Sequence, residues 1–324
     1  MENKRYYFAT WLRAAATVSI LLCHFTAQST NRYLNMLGQF FNIGVQLFII
    51  LSGFLYGVHR GGGDYKTWYI SRIKRIYVPY ELFVITLLIV HIIKRIPLNL
   101  NWVWLALGFQ GSVVGVLGAE QTWFITPLLM CYAITPALDR FLSKEMSKWR
   151  AVFTVAVAVM VKMLWVIPES AAFDTLLSLV SWYVVGFVIG RCFDRIELNN
   201  RRAGMALFLM CTAFTIRIVG RFLCDGSVLY DRVICGYTHA VAAVCIFYLF
   251  AVAFQDIRPN RPVQYLGTIS FEVYLVHYMF CVGPLRLFGV TPIWGINCLI
   301  VIAVSFILAF GIHSIVEIII KRVG

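Results

Sequence analysis

The chain has 324 residues, 60% of them hydrophobic and only 13% charged, with a mean hydropathy of +0.80 and a net charge of +13. About a quarter of an ordinary soluble domain is charged, so these values exclude a soluble globular enzyme. They predict an all-α, polytopic integral membrane bundle.

Apolar runs fall at 6–28, 37–58, 78–93, 122–139, 149–167, 175–192, 203–220, 233–254, 265–285 and 293–319. The first is too long for the core of a secretory signal and reads as a spanning helix. With the amino terminus placed in the cytoplasm, cytoplasmic segments receive 19 of the 28 Lys and Arg residues, and outer segments receive six. Arg13, Lys162 and Arg217 remain inside spans. That asymmetry predicts about ten transmembrane helices with both termini cytoplasmic. It also assigns the basic balance to topology rather than to nucleic acid. Every loop is short, so residues 1–324 read as a single membrane domain with no separate soluble domain. The nine cysteines lie singly without a C-x-x-C pair and read as small packing residues rather than metal ligands. Cys224 and Cys235 are placed where they can pair on the outer side.

The first run carries Arg13 and His24. An arginine near the centre of a spanning helix costs roughly 2.5–3.5 kcal/mol on insertion scales, so such residues mark function by default. Eleven residues make close to three turns, which puts both side chains near one face, about 16 Å apart along the axis. The second run, FNIGVQLFIILSGF at 41–54, has small residues at Gly44, Ser52 and Gly53 that allow close helix approach, and a polar Gln46 at depth.

The loop at 60–80, RGGGDYKTWYISRIKRIYVPY, opens on the flexible Gly61–Gly63. Arg72 and Arg75 are three apart and share a helix face. Guanidinium groups give phosphate paired hydrogen bonds as well as charge. The same stretch also suits an anchor on anionic lipid headgroups. Residues 102–119 are apolar but Gly-rich, and counting them as a span would invert the charge pattern of everything that follows. They read as a re-entrant or interfacial segment on the outer side.

The fourth run opens EQTWFITPLLMCYAITP, with Glu120 and Gln121 at its outer mouth, Trp123 at the interface, and kinks expected at Pro127 and Pro136. The ninth, ISFEVYLVHYMF, holds Glu272 and His277, with Ser270, Tyr274 and His277 near one face. His91, His239 and His313 read as structural, and Lys162 and Arg217 as side chains that snorkel to an outer surface.

Taken in order, these blocks resemble the membrane acyltransferase-3 family. The blocks are Arg-x10-His (Arg13, His24), G-V-x-L-F-x-x-L-S-G-F from Gly44 to Phe54, and R-x-x-R-I-x-x-P-Y from Arg72 to Tyr80. W-F-x-x-P-L-L from Trp123 to Leu129 and S-x-x-x-Y-L-x-H from Ser270 to His277 complete the series. The family often has Asp where this chain has Gln46, and many relatives have His where Gln121 stands. The resemblance implies an O-acyltransferase in the bacterial cytoplasmic membrane. It would move an acyl group, acetyl in the simplest case, from cytoplasmic acyl-coenzyme A to a surface glycan or lipid-linked oligosaccharide. Acetyl-CoA would be a co-substrate, with no permanently bound cofactor and no metal.

The resemblance assigns His24 as general base, acyl-His24 being a variant of that role. His277 would orient the acceptor or stabilise the oxyanion. Arg13, Arg72 and Arg75 would hold the donor, and Gln46, Ser52, Gln121, Trp123, Glu272 and Tyr274 would support the acceptor. A carrier of glycans or lipid-linked intermediates is the competing function, but no repeated halves with broken helices are evident. Replacing Arg72 and Arg75 together with Ala is expected to raise the donor KM by roughly tenfold or more, since hydrogen bonds to charged groups contribute about 1.5–3 kcal/mol. Unchanged donor affinity in a steady-state assay would leave the lipid-anchor role in its place.

Overall fold

The structure, a computed structural model, describes residues 6–58, 64–109, 115–142, 146–164 and 171–323. Lys4, Arg5, Arg60, Gly61–Gly63 and Lys144 therefore lie outside the described residues. Within them the chain is all-helical, without strands. The helices are α1 (Tyr7–Ala27), α2 (Arg32–Phe41), α3 (Ile43–Val58), α4 (Tyr65–Ile93), α5 (Asn101–Ala106), α6 (Ile125–Phe141), α7 (Lys148–Leu164), α8 (Ala171–Cys192), α9 (Asn200–Cys224), α10 (Cys235–Phe254), α11 (Arg261–Cys281) and α12 (Trp294–Val323).

Seven helical segments are long and apolar enough to cross a membrane: Tyr7–Ala27, Arg32–Val58, Tyr65–Ile93, Leu177–Arg195, Asn200–Cys224, Leu229–Phe254 and Trp294–Arg322. The other three expected runs fall on α6 and α7, of 17 residues each, and on α11, of 21. The second apolar run is two helices, α2 and α3, broken at Asn42. The third extends well beyond its apolar part, because α4 begins at Tyr65 and carries the basic block on the same 29-residue helix. Asp64 caps that helix, accepting from the amides of Lys66 and Thr67 at 3.0 and 3.2 Å and from the Thr67 hydroxyl at 2.7 Å. The Thr67 hydroxyl and these amides hold the exposed Asp64 carboxyl below its ordinary range. Pro127 sits in the first turn of α6, where no intrahelical amide is lost, while Pro136 lies in its interior.

The helices form two compact units that interleave in sequence, with α1, α6 and α11 contributing to both. The first unit contains α1 through Ala16, α3, α6 from Pro127, α7 to α10 and the start of α11. Its axis is the packing of α3 on α8 through two facing glycine pairs. Gly53 and Gly57 occur in GFLYG, and Gly186 and Gly190 in GFVIG. A Cβ on Gly53 would overlap the carbonyl oxygen of Tyr183, and one on Gly57 that of Phe187. Reciprocally, Gly186 faces the carbonyl of Ile50, and Gly190 that of Phe54. Small residues four apart let helix backbones touch where lipid offers no hydrophobic drive to associate. Beside this seam Phe8, Phe54, Phe193 and Phe247 form an aromatic core with centroids 4.9 to 5.7 Å apart.

Several polar groups in this unit find internal partners. Arg191 pairs with Asp139, and the Thr135 and Tyr183 hydroxyls bond at 2.6 Å. Lys162 and Arg217 are buried in protein, correcting their reading as snorkelling side chains. The Lys162 ammonium donates to the Arg232 carbonyl at 3.1 Å and lies over the Tyr237 ring at 4.5 Å.

The second unit contains α1 from Thr17, α2, α4, α5, residues 115–126, α11 from Thr268, and α12. Within it α5 is only six residues long, so the described part of 102–119 is not a spanning helix. The segment is instead tied down by side chains. Tyr80 and Tyr77 donate to the carbonyls of Leu105 and Leu107, and Thr126 donates to that of Gly108 at 2.9 Å. His91 donates from Nε2 to the Leu117 carbonyl at 2.9 Å, a structural role. All nine cysteines are free, and Cys224 donates to the Gly220 carbonyl rather than pairing with Cys235.

Gly186→Ala is expected to cost about 3 kcal/mol, the upper end for overpacking, because the added methyl meets backbone and not a side chain that can rotate. A lowered unfolding midpoint in lipid nanodiscs would register it, whereas an unchanged midpoint would show that α3 and α8 separate without penalty.

Candidate active site

In the second unit two histidines from distant parts of the sequence meet. His24 lies in the last turn of α1, and His277 lies four residues before the end of α11. His24 Nδ1 and His277 Nε2 are 2.7 Å apart, and the rings stack with centroids 4.9 Å apart and planes 18° from parallel. His277 is fully buried, while His24 is half-buried. On its other side His277 Nδ1 lies 2.7 Å from the Tyr274 carbonyl and 3.1 Å from that of Val273.

These contacts dictate where the protons sit. A carbonyl oxygen only accepts, so His277 Nδ1 carries hydrogen and donates to the backbone. A neutral ring has one N–H, which makes His277 Nε2 an acceptor. His24 Nδ1 must then donate to it, and His24 Nε2 is left with its lone pair. Both rings thus take the Nδ1–H form. The arrangement leaves a basic nitrogen on the less buried ring, with a second imidazole behind it to share charge once a proton arrives.

The turn before α6 is fastened to α11 one turn from His277. Gln121 donates from Nε2 to the Leu275 carbonyl at 2.6 Å, and the Tyr274 hydroxyl donates to the Gln121 carbonyl. Both side chains are buried, so Gln121 and Tyr274 act as a clamp between segments. Trp123 is half-buried with its ring edge toward Phe124 at 6.3 Å. Glu120, one residue before the clamp, accepts from the Gly118 amide at 2.8 Å. The indole of Trp294 donates to the Phe25 carbonyl at 3.0 Å and fixes the end of α1 to α12.

Sequence spacing groups Glu272 with His277, but the structure separates them. Five helical residues turn Glu272 to another side of α11, where its carboxylate pairs with His313 at 2.8 Å. His313, read from sequence as structural, therefore bonds a carboxylate on the neighbouring helix. Arg72 and Arg75 lie on α4 in this unit, the former half-buried and the latter exposed. Arg13, Gln46 and Ser52 belong to the first unit, all three half-buried. There Arg13 makes a long 3.5 Å contact to the Gly267 carbonyl and lies in electrostatic reach of Tyr56 and Tyr132. The Gln46 side-chain oxygen is buried without a hydrogen bond. Among the described residues no cluster of His, Cys, Asp and Glu is arranged to hold a metal ion.

Sequence reasoning did not single out Tyr278, whose ring stands edge-on to His24 at 5.0 Å. Its position directly after His277 was the available signal. A family model for an acyltransferase domain matches residues 6–313, nearly the whole chain. No curated protein and no solved structure gives a significant match.

The proton placement is directly measurable. In protein carrying 15N-labelled histidine, both His24 and His277 are expected to show a protonated Nδ1 and an unprotonated Nε2. His277→Ala is expected to release His24 to the Nε2–H form. A wild-type spectrum with Nε2–H on His24 would contradict the assignment.

Proposed function

The chain belongs to the acyltransferase-3 family of membrane acyltransferases, and on that premise we propose that it is an O-acyltransferase using cytoplasmic acyl-coenzyme A. The acyl group, acetyl in the simplest case, goes to a hydroxyl of a surface glycan or lipid-linked oligosaccharide. The observation that carries this reading is the unprotonated Nε2 of His24, backed by His277. An oxygen nucleophile needs a base of this kind, and a positioned imidazole contributes roughly 10²–10⁴-fold to such a step.

His24 Nε2 takes the acceptor hydroxyl proton as the oxygen attacks the thioester carbonyl carbon. The carbon–sulfur bond then breaks, and the proton passes from His24 to the departing coenzyme A sulfur. During that interval the imidazolium on His24 keeps its Nδ1–H bond to His277, which spreads the charge in a site shielded from water. His277, fully buried against His24, is a positioning residue in this scheme.

Arg72 and Arg75 sit on the basic end of α4, where guanidinium groups suit the phosphates of the donor. Arg13 guides the donor at the inner entrance. Gln46, Ser52, Trp123 and Glu272 keep acceptor or supporting roles, and Gln121 and Tyr274 clamp the turn before α6 to α11 beside the two histidines. Ten spans with both termini in the cytoplasm of a bacterial cell place the basic ends on the donor side. Acetyl-CoA is spent in each turnover and is not a resident cofactor.

Purified protein incubated with acetyl-labelled coenzyme A and envelope glycans is expected to transfer label covalently to the glycan. His24→Ala is expected to reduce that transfer by at least about 100-fold with the protein still folded in membranes. His277→Ala, which leaves the base but frees its ring, is expected to lose less. Near-normal transfer by the His24 variant would remove it from the mechanism, and glycan movement without label would support a carrier instead.

A further inference from the structure

Three polar groups near the histidine pair have an atom without a hydrogen bond among the described residues: His24 at Nε2, Tyr278 at its hydroxyl and Glu120 at its second carboxylate oxygen. None is among the fully buried unbonded atoms, so each keeps some exposed surface, and all three residues are half-buried. Tyr278 joins the other two. Its ring meets His24 edge-on at 5.0 Å, and Glu120 stands within its electrostatic reach.

The carboxylate is held there by construction. Gly118 donates its amide to one Glu120 oxygen at 2.8 Å, from a backbone with φ of +89° that suits glycine. A Cβ on Gly118 would meet Pro284 at 2.7 Å, so a side chain is excluded on steric grounds as well. Immediately after Glu120, Gln121 is clamped to Leu275 and Tyr274 on the helix that bears Tyr278. Glu120 is thus fixed from both sides while its free oxygen has no internal use.

We propose that Glu120 and Tyr278 form a hydroxyl-recognition subsite beside His24, one that takes a neutral polyol by two neighbouring hydroxyls. One hydroxyl donates to His24 Nε2, and its neighbour donates to Glu120. The Tyr278 phenol, able both to donate and to accept, bridges between them. The charge decides which substrate this subsite serves. A carboxylate beside the base repels the phosphates of an acyl-coenzyme A, so the subsite belongs to the acceptor. It also disfavours acceptors whose reacting end carries phosphate or carboxylate. The proposal rests on His24 acting as the base that receives the reacting hydroxyl.

The test measures binding separately from chemistry. Full-length protein in nanodiscs is titrated with methyl α-D-glucopyranoside by saturation-transfer NMR, and with acetyl-CoA by equilibrium dialysis. Wild type and His24→Ala are both expected to bind the glycoside, although only the former transfers acetyl. Glu120→Ala and Tyr278→Phe are each expected to weaken glycoside binding by about tenfold or more with acetyl-CoA affinity unchanged, which also certifies their folding. Gly118→Ala, which displaces the carboxylate without removing it, is expected to follow Glu120→Ala. Failure of wild type to bind the glycoside overturns the proposal, as does unchanged binding in both the Glu120 and Tyr278 variants. Equal weakening of donor and glycoside would overturn it too. Transfer by His24→Ala with the Glu120 and Tyr278 effects intact would instead refute the assignment of the base.

Discussion

In an apolar interior a neutral imidazole has one proton to place, and its surroundings decide which nitrogen receives it. At His277 two main-chain carbonyls of its own helix make that choice. The consequence runs through a stacked ring to His24, whose Nε2 is left with its lone pair and no carboxylate behind the pair. A carboxylate partner would raise the basicity of the pair but would also bring a charge that must be desolvated. Main-chain carbonyls orient the ring with dipoles alone. Glu272, the nearest acid on the same helix by sequence, is kept away from this pair by its engagement with His313.

The two units meet the membrane's demand for satisfied polar groups in different ways. In the first, backbone meets backbone at facing glycines, and the few charged side chains are absorbed by carbonyls, aromatic faces or a buried ion pair. In the second, irregular segments occur that a helix ladder cannot satisfy. Side chains of α4 supply bonds to the carbonyls of Leu105, Leu107 and Leu117, and α11 is bonded to the turn at 120–124. Non-helical backbone survives at such places because protein takes the role of water. The clamp on α11 lies one turn from His277, so irregular backbone beside the histidines is held by specific side-chain contacts.

Much of this was legible in the sequence, and the boundary of legibility has a physical basis. The long apolar runs, the pairing of Arg13 with His24 on one helix, and the basic face of α4 are properties of local spacing, and spacing is what a sequence displays. That the described part of 102–119 is not a spanning helix was legible from the glycines of the segment and from the charge count. The meeting of His24 and His277 was not, because 253 residues separate them and nothing local encodes the contact. The contact of Glu272 with His313 was hidden for the same reason, its partner lying on the following helix. Lys162 and Arg217 were misjudged because hydropathy cannot tell a side chain that reaches headgroups from one enclosed by protein. The glycine seam left a readable trace in the repeated G-x-x-x-G of α3 and α8, of which only Gly53 attracted notice.

That seam governs how the first unit can deform. Helices joined through facing glycines have no rotamers to exchange at their contact, so sliding one past the other offers no sequence of intermediate packings. The pair behaves as one stiff block. A side chain at any of the four glycines would meet the facing backbone, so the register of α3 on α8 is fixed sterically. Any loosening needed to admit a long substrate must arise at joints made by side chains, where partners can be changed one at a time.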